Sequence, residues 1–265
     1  MKTGAGGPCG SILCGLLLGA SLASPADLAE IKSRGTLRVI AAADEAPETF
    51  SFTAGPNPGF DRELVEGFAK LHGLRVEPVK AKAYADRIPL LGRGEGDLIV
   101  AIFDTEDRRK LVDFTLEVMP THNVAVTLSS RPAVGSVAEL AALRVGAIRG
   151  TKPADETIEA GVPASALRLF ATQEEMTIAL RAGTVDAVVL PISELVVISR
   201  DAKTLVAGIT VGPRGKIAWA VRKQDPALRA ALDDYLGNVR RSPSWSRLIV
   251  KYFGDQALQV LGKEH

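Results

Sequence analysis

The chain has 265 residues, more than one typical domain of about 100–200 residues and short of a clear three. Its 32 basic and 31 acidic side chains leave a net charge of +1, which argues against a basic nucleic-acid binder and an acidic tail. Hydrophobic residues at 46% and charged residues at 24% are the mix of a packed core, and aromatics at 5% mean that any aromatic wall draws on few rings.

Lys2 is the only charge before Asp27. The apolar run Ile12–Ala20 is followed by Ser21-Leu22-Ala23-Ser24-Pro25-Ala26, whose small residues suit cleavage after Ala23 or Ala26. This is the pattern of a secretory signal peptide over residues 1–26, and the run is short of the roughly 20 residues of a spanning helix. Cys9 and Cys14, the only cysteines, both lie there without the small-residue context of a lipid-attachment site. The mature chain is therefore expected to carry no disulfide and no catalytic thiol.

Strands and helices then alternate. Thr36–Ala42 reads as a buried strand. Phe60, Leu64, Val65, Phe68 and Leu71 recur on one helical face, with Asp61 as its cap and Gly73 at its end. Leu74–Val79 is a strand, Arg87–Leu91 a helix with Pro89 in its first turn, and Asp97–Phe103 a third strand. This order implies a parallel sheet with crossover helices. Val124–Leu128 is strand-like, and Ser129–Pro132 a loop. The pattern restarts with strand Leu143–Ile148, helix Ala154–Ala160, strand Leu167–Phe170, helix Thr172–Ala182 and strand Asp186–Leu190. Both halves share a device: a helix end, a glycine turn, an Asp (Asp97, Asp186) and a buried strand. Lys216–Val221 is a late strand, and two helices, Ala227–Arg240 and Ser244–Tyr252, follow Pro226 and Pro243.

Catalytic motifs are absent. His72 and His265 read as surface residues, and only His122, between the halves, is placed to face a site. No metalloprotease, nucleophile-elbow or phosphate-loop pattern occurs, and no histidine or mature cysteine cluster could hold a transition metal. The expectation is a binding protein without cofactor or metal, not an enzyme.

Two segments suit an anion. Thr105-Glu106-Asp107-Arg108-Arg109-Lys110 follows the third strand, where ligands sit in open α/β sheets and an Arg can grip a carboxylate with two parallel hydrogen bonds. Arg149-Gly150-Thr151-Lys152-Pro153 follows the first strand of the second half. There Gly150 permits close backbone approach, Thr151 can cap the next helix, and the helix N–H groups point at what lies in front.

The chain resembles the bacterial extracellular solute-binding proteins of ABC importers, polar-amino-acid class. The matching pieces run in order from Gly35-Thr36-Leu37-Arg38-Val39 through Gly59-Phe60-Asp61, Tyr84 and Gly96-Asp97-Leu98 to the spaced Thr105, Arg108, Val112-Asp113-Phe114. They continue with Arg144-Val145-Gly146, Gly150-Thr151, Val185-Asp186-Ala187, Ala220–Lys223 and Lys251-Tyr252-Phe253-Gly254. The resemblance implies an α/β, two-lobed, type II-like binding protein, each lobe a mainly parallel sheet flanked by helices, with two crossover strands near Thr121–Ala125 and Val211–Lys216. The expected divisions are residues 27–122 and 214–265 for the first lobe and 123–213 for the second. It implies that Arg108 binds a carboxylate, that Ala101 and Phe103 offer backbone groups, that Tyr84 forms an aromatic wall, and that Gly150, Thr151 and Lys152 face the same ligand.

Two departures bear on the ligand. Where amino-acid binders of this class carry an Asp for the α-ammonium, this chain has Leu190-Pro191, and Lys152 stands where a small hydroxyl residue is common. A cation there favours a second carboxylate and opposes an ammonium, although Asp44, Glu45 or Glu48 could serve as the ammonium partner. The expected role is a monomeric periplasmic receptor that delivers a small carboxylate-bearing solute, an amino acid or organic acid, to a membrane permease. Alternatives are an enzyme resembling cyclohexadienyl dehydratases, with Glu48, Glu194 or His122 as acid, or a sensor or partner protein. The likeness to the non-catalytic lobes of murein lytic transglycosylases is weighed lower, since no catalytic domain is expected before His265.

Overall fold

The computed structural model describes Met1 and residues 27–53, 55–198 and 204–254. The expected leader over 1–26 and His265 lie outside the described residues.

The chain opens with α1 (Leu28–Arg34), β1 (Thr36–Ala42), a short α2 (Pro47–Phe50), α3 (Phe60–Leu71) and β2 (Arg75–Ala81). A 3-10 turn at Tyr84–Asp86 leads into α4 (Arg87–Gly92), followed by β3 (Leu98–Phe103), α5 (Glu106–Arg109), β4 (Asp113–Phe114) and β5 (Met119–Leu128). Then come α6 (Val137–Ala141), β6 (Val145–Ile148), α7 (Lys152–Glu159), β7 (Leu167–Phe170), α8 (Gln173–Arg181), β8 (Ala187–Pro191) and α9 (Ile192–Ile198). The long β9 (Leu205–Val221) and helices α10 (Pro226–Arg240) and α11 (Pro243–Phe253) complete the described chain.

The strands form one sheet in the order β2-β1-β3-β9-β5-β8-β6-β7. β1, β2 and β3 run parallel, and so do β6, β7 and β8, which gives each lobe its parallel half. β5 and β9 pair antiparallel from Met119↔Ile217 to Leu128↔Leu205 and pass through both lobes. The register breaks between Thr121 and Asn123; beyond it β5 also pairs with β8, and the far end of β9 pairs with β3.

Both faces of the sheet are covered in each lobe. Leu37, Val39 and Ala41 of β1 face the core built with Phe60, Leu64, Trp219 and Leu232, while Ile40 faces Leu91 and Ile99 on the other side. This two-residue alternation, with both faces apolar, is why the strand reads as continuously hydrophobic. In the second lobe Val188 and Leu190 face one cluster, and Ala187 and Val189 the other.

Three local expectations differ. Asp61 does not cap α3, whose N-cap is Gly59; its buried carboxylate accepts from the Trp219 indole N–H at 2.5 Å. The late strand begins at Leu205, not Lys216, because pairing with β5 holds its glycine- and proline-rich first half. α9, which the sequence analysis does not assign, starts directly from the end of β8.

Candidate functional site

A cavity opens between the lobes. Tyr84, Ala101, Phe103 and Arg108 line it from the first lobe, and Thr151, Lys152 and Pro191 from the second. Gly150 is not among its walls. With φ +73, it lies at the seam, where a Cβ would come within 3.1 Å of the Ala85 Cβ. Glu48 and Glu194 also line the cavity, and His122 on β5 does not.

Arg108 is turned inward by a spent neighbourhood. Thr105 caps α5 by accepting from the Arg108 N–H at 3.3 Å. Arg109 pairs with Asp104 at 2.5 Å and Lys110 with Asp107 at 2.6 Å, both outside the cavity. The Arg108 guanidinium donates to the Phe103 carbonyl at 3.0 Å, and among the described residues no carboxylate lies within ion-pair distance of it. Burial, and next the field of Arg87, lower its pKa to about 10, so it stays charged at neutral pH. A largely buried cation without an anion is costly until one arrives.

Across the cavity, Thr151 is the extended N-cap of α7, but its hydroxyl donates back to the Ile148 carbonyl at 2.6 Å and caps nothing. The first turn of α7 therefore presents its N–H end without a side-chain acceptor. Lys152 is already matched: its ammonium lies 3.6 Å from Glu156 and 3.3 Å from Glu159. Glu156 in turn accepts from Asn123 on β5 at 2.5 Å.

The first lobe adds Arg87, to which the sequence analysis gave no site role. Arg87 is buried and donates to the carbonyls of Tyr84, Val100 and Ala101, stacks 4.9 Å from the Tyr84 ring, and lies 3.8 Å from Glu45. Ala101 adopts φ +49, a conformation costly for a residue with a Cβ. Its N–H bonds Asp61 and its carbonyl accepts from Arg87, so both backbone groups are taken. Burial raises Asp61 and Glu45 to about 7; it raises Glu194 to about 8, helped by the fields of Glu45 and Asp44. Arg87 and Asp61 carried a sequence signal. Each sits in phase with apolar residues on its helix, Arg87 with Leu91 and Asp61 with Val65 and Phe68, and a charge at a core position points to a site.

The model of the bacterial extracellular solute-binding proteins, family 3, matches residues 37–255. The chain belongs to that family. Membrane-bound lytic murein transglycosylase F of Stutzerimonas stutzeri (strain A1501) is 27% identical over 254 residues, 93% of this chain. The chain spans about half the length of such curated relatives, 51% in this case. Among solved structures, a mutant of ArgBP from T. maritima superposes with a TM-score of 0.77 at 26% identity, covering 86% of this chain and 99% of that one. The ancestral amino acid-binding protein AncCDT-1, a precursor of cyclohexadienyl dehydratase, gives 0.76 at 26% identity, covering 85% and 98%. These family-3 likenesses span both lobes, and with them the cavity.

Proposed function

We propose that the chain is the extracellular solute-binding component of an ABC importer and holds a small carboxylate-bearing solute between its lobes. The observation that carries this reading is Arg108: a largely buried guanidinium that faces a cavity, opposite a helix N-terminus, with no carboxylate of its own. Closure strips water from the pair and strengthens it. The proposed lobe boundaries, 122/123 and 213/214, fall beside the register break of the crossover strands. A cleaved leader over 1–26 and a periplasmic location belong to the same proposal; among the described residues no helix is long and apolar enough to cross a membrane. The test is calorimetry with the tightest carboxylate found in a thermal-shift panel of amino acids, dicarboxylates and aromatic acids. Arg108→Ala should lose at least about 2 kcal/mol of binding, and unchanged affinity removes the assigned role.

A second reading is a dehydratase-like enzyme. It is favoured by Glu194, a carboxyl held near 8 beside a carboxylate anchor, and by the likeness to AncCDT-1. Turnover of prephenate or arogenate by the purified protein, abolished in Glu194→Gln, would decide for it. A panel in which no small molecule raises the melting temperature would instead favour a sensor or partner role like that of a module in a larger protein.

A further inference from the structure

The seam between the lobes gathers carboxyl groups from both sides. Asp44 and Glu45 follow β1 in the first lobe, and Glu194 stands in the first turn of α9 in the second. Asp44 accepts through one oxygen from the Gln173 N–H of the second lobe at 3.0 Å. Its other oxygen, Glu45 Oε2 and Glu194 Oε2 are enclosed without a hydrogen-bond partner. The Glu45 side chain is 6% exposed. The cation that acts on these groups is Arg87, which is itself held by three carbonyls. It stops 3.8 Å from Glu45, too far for a hydrogen bond.

Glu194 is a second-lobe group in a first-lobe environment. The charged groups that act on it are Glu45, Asp44 and Arg87, all of the first lobe. α9 also packs against β5, β8 and α11, yet His122, Arg247 and Lys251 of those elements are not among them. The groups acting on Glu45 are Arg87, Asp61 and Asp44. The Tyr84 hydroxyl faces Glu45, Glu194 and Asp44; burial lifts it well above its usual range, so it stays neutral. Glu48 lines the same cavity, half-buried, and keeps part of its hydration. Shutting the lobes thus strips water from Glu194 and brings two carboxyl groups of like charge to it. Both changes favour its protonated form. With the lobes apart, water returns, the like charges withdraw, and an ordinary carboxyl near about 4 is recovered.

We propose that closure of the lobes is proton-coupled: Glu194, with Glu45 beside it, takes up a proton as the seam shuts, so that acid holds the protein closed and alkali opens it. In the closed form burial, helped by the fields of Glu45 and Asp44, holds Glu194 at about 8, and burial holds Glu45 at about 7. The shut form therefore binds more protons than the open one between about pH 4 and 8. Its advantage is full near about pH 4 and is lost as pH rises through 7 to 8. A solute is then retained on the acid side and surrendered on the alkaline side. Arg108, held at about 10, keeps its charge throughout, so the carboxylate anchor does not itself titrate there. The device goes beyond the solute reading and belongs to the lobes, so it can be read in the empty protein.

The test uses the full chain, freed of bound solute, at pH 6.0 and pH 8.5. Small-angle X-ray scattering reads the separation of the lobes. Amide hydrogen exchange reads the bond between Asp44 and Gln173, expressed as protection factors so that the pH dependence of the chemical rate cancels. The empty protein should be compact at pH 6.0 and more open at pH 8.5, with protection at Gln173 at least about tenfold lower, while circular dichroism stays native. Glu194→Gln, a neutral stand-in for the protonated carboxyl, should remain compact and protected at pH 8.5. Glu45→Gln is the second variant and should reduce the opening in the same direction, which covers the case where one of the two does not fold. If the parent gives the same scattering and protection at both pH values, or if the folded variants open as the parent does, the proposal fails and the carboxylate anchor stands. A chain that opens with pH yet binds no carboxylate keeps the device and loses that anchor.

Discussion

Glu194, Glu45 and Asp61 titrate near 8, 7 and 7 because burial penalises their charged forms. Their unfolded values lie near 4, so between about pH 4.5 and 8 the folded chain holds protons that the unfolded chain releases. The stability these groups contribute is full below pH 4 and is lost as pH rises through 7 to 8. Asp186 works in the opposite sense: hydrogen bonds from Arg144 hold it near 2, so its contribution is present above pH 4 and is lost as pH falls toward 2. The empty protein should therefore melt at a lower temperature at pH 8.5 than at pH 5.5. Glu194→Gln should narrow that gap, and calorimetric melting at the two pH values checks it; equal melting temperatures in the parent would contradict the assignment. At this scale Arg108 and Tyr84, singled out through the family resemblance, both line the cavity. Lys152 was legible in part: its i, i+4 spacing to Glu156 already encodes the pairing that takes it out of play. The partner of Asp61 was not, because the Trp219 that receives it lies 158 residues away.

At the scale of elements, the repeated glycine-Asp device has a common purpose. Asp97 accepts from the backbone N–H of Arg38 at 2.8 Å, from its guanidinium at 2.8 Å and from Arg34 at 2.5 Å. Asp186 accepts from the backbone N–H of Arg144 at 3.1 Å, from its guanidinium at 2.8 Å and from Arg131 at 2.8 Å. In each lobe the carboxylate before the third strand clamps the Arg at the start of the first, and the matching triplets are Leu37-Arg38-Val39 and Leu143-Arg144-Val145. The clamps differ in burial. Asp97 is fully enclosed, whereas the Arg144 and Arg131 side chains are about half exposed. Asp97→Asn should cost about 3–5 kcal/mol by urea unfolding, as when one member of a buried pair is removed. Asp186→Asn should cost no more than about 1–2 kcal/mol, with water screening its partners. Equal losses would refute the distinction. The alternation of strands and helices was readable because apolar period and punctuation agreed. β9 was half-read because Gly208, Gly212, Pro213 and Gly215 carry no strand preference and are held by β5. The start of α9 was hidden because no loop residues separate it from β8.

At the scale of the molecule, the lobes are closed on each other. Asp44 accepts from the Gln173 N–H at the start of α8 at 3.0 Å, and Ala42 and Tyr84 pack into the second lobe's core with Ile148 and Phe170. Gly150 meets Ala85 along the same seam. Gly150→Ala should cost about 1–2 kcal/mol of stability from its φ +73, and should also lower solute affinity, because the new Cβ strikes Ala85 only when the lobes shut. Adding Ala85→Gly should restore affinity and leave the stability loss; a double variant that still binds poorly would show that the seam does not limit closure. The two-lobed plan itself was legible from the restart of the strand-helix pattern, whereas no sequence signal placed Asp44 against Gln173.

β9 brings Ile217, Trp219 and Val221 into the first lobe's core, and α10 and α11 add Leu228, Leu232, Leu236, Ile249, Tyr252 and Phe253. Nine of the 24 buried residues of that core are thus encoded downstream of the entire second lobe. On the ribosome the first-lobe segment 27–119 must wait for residues 217–253, while the segment between them already owns its strands and can settle first. This arrangement delays completion of the first lobe until residues 217–253 have been made.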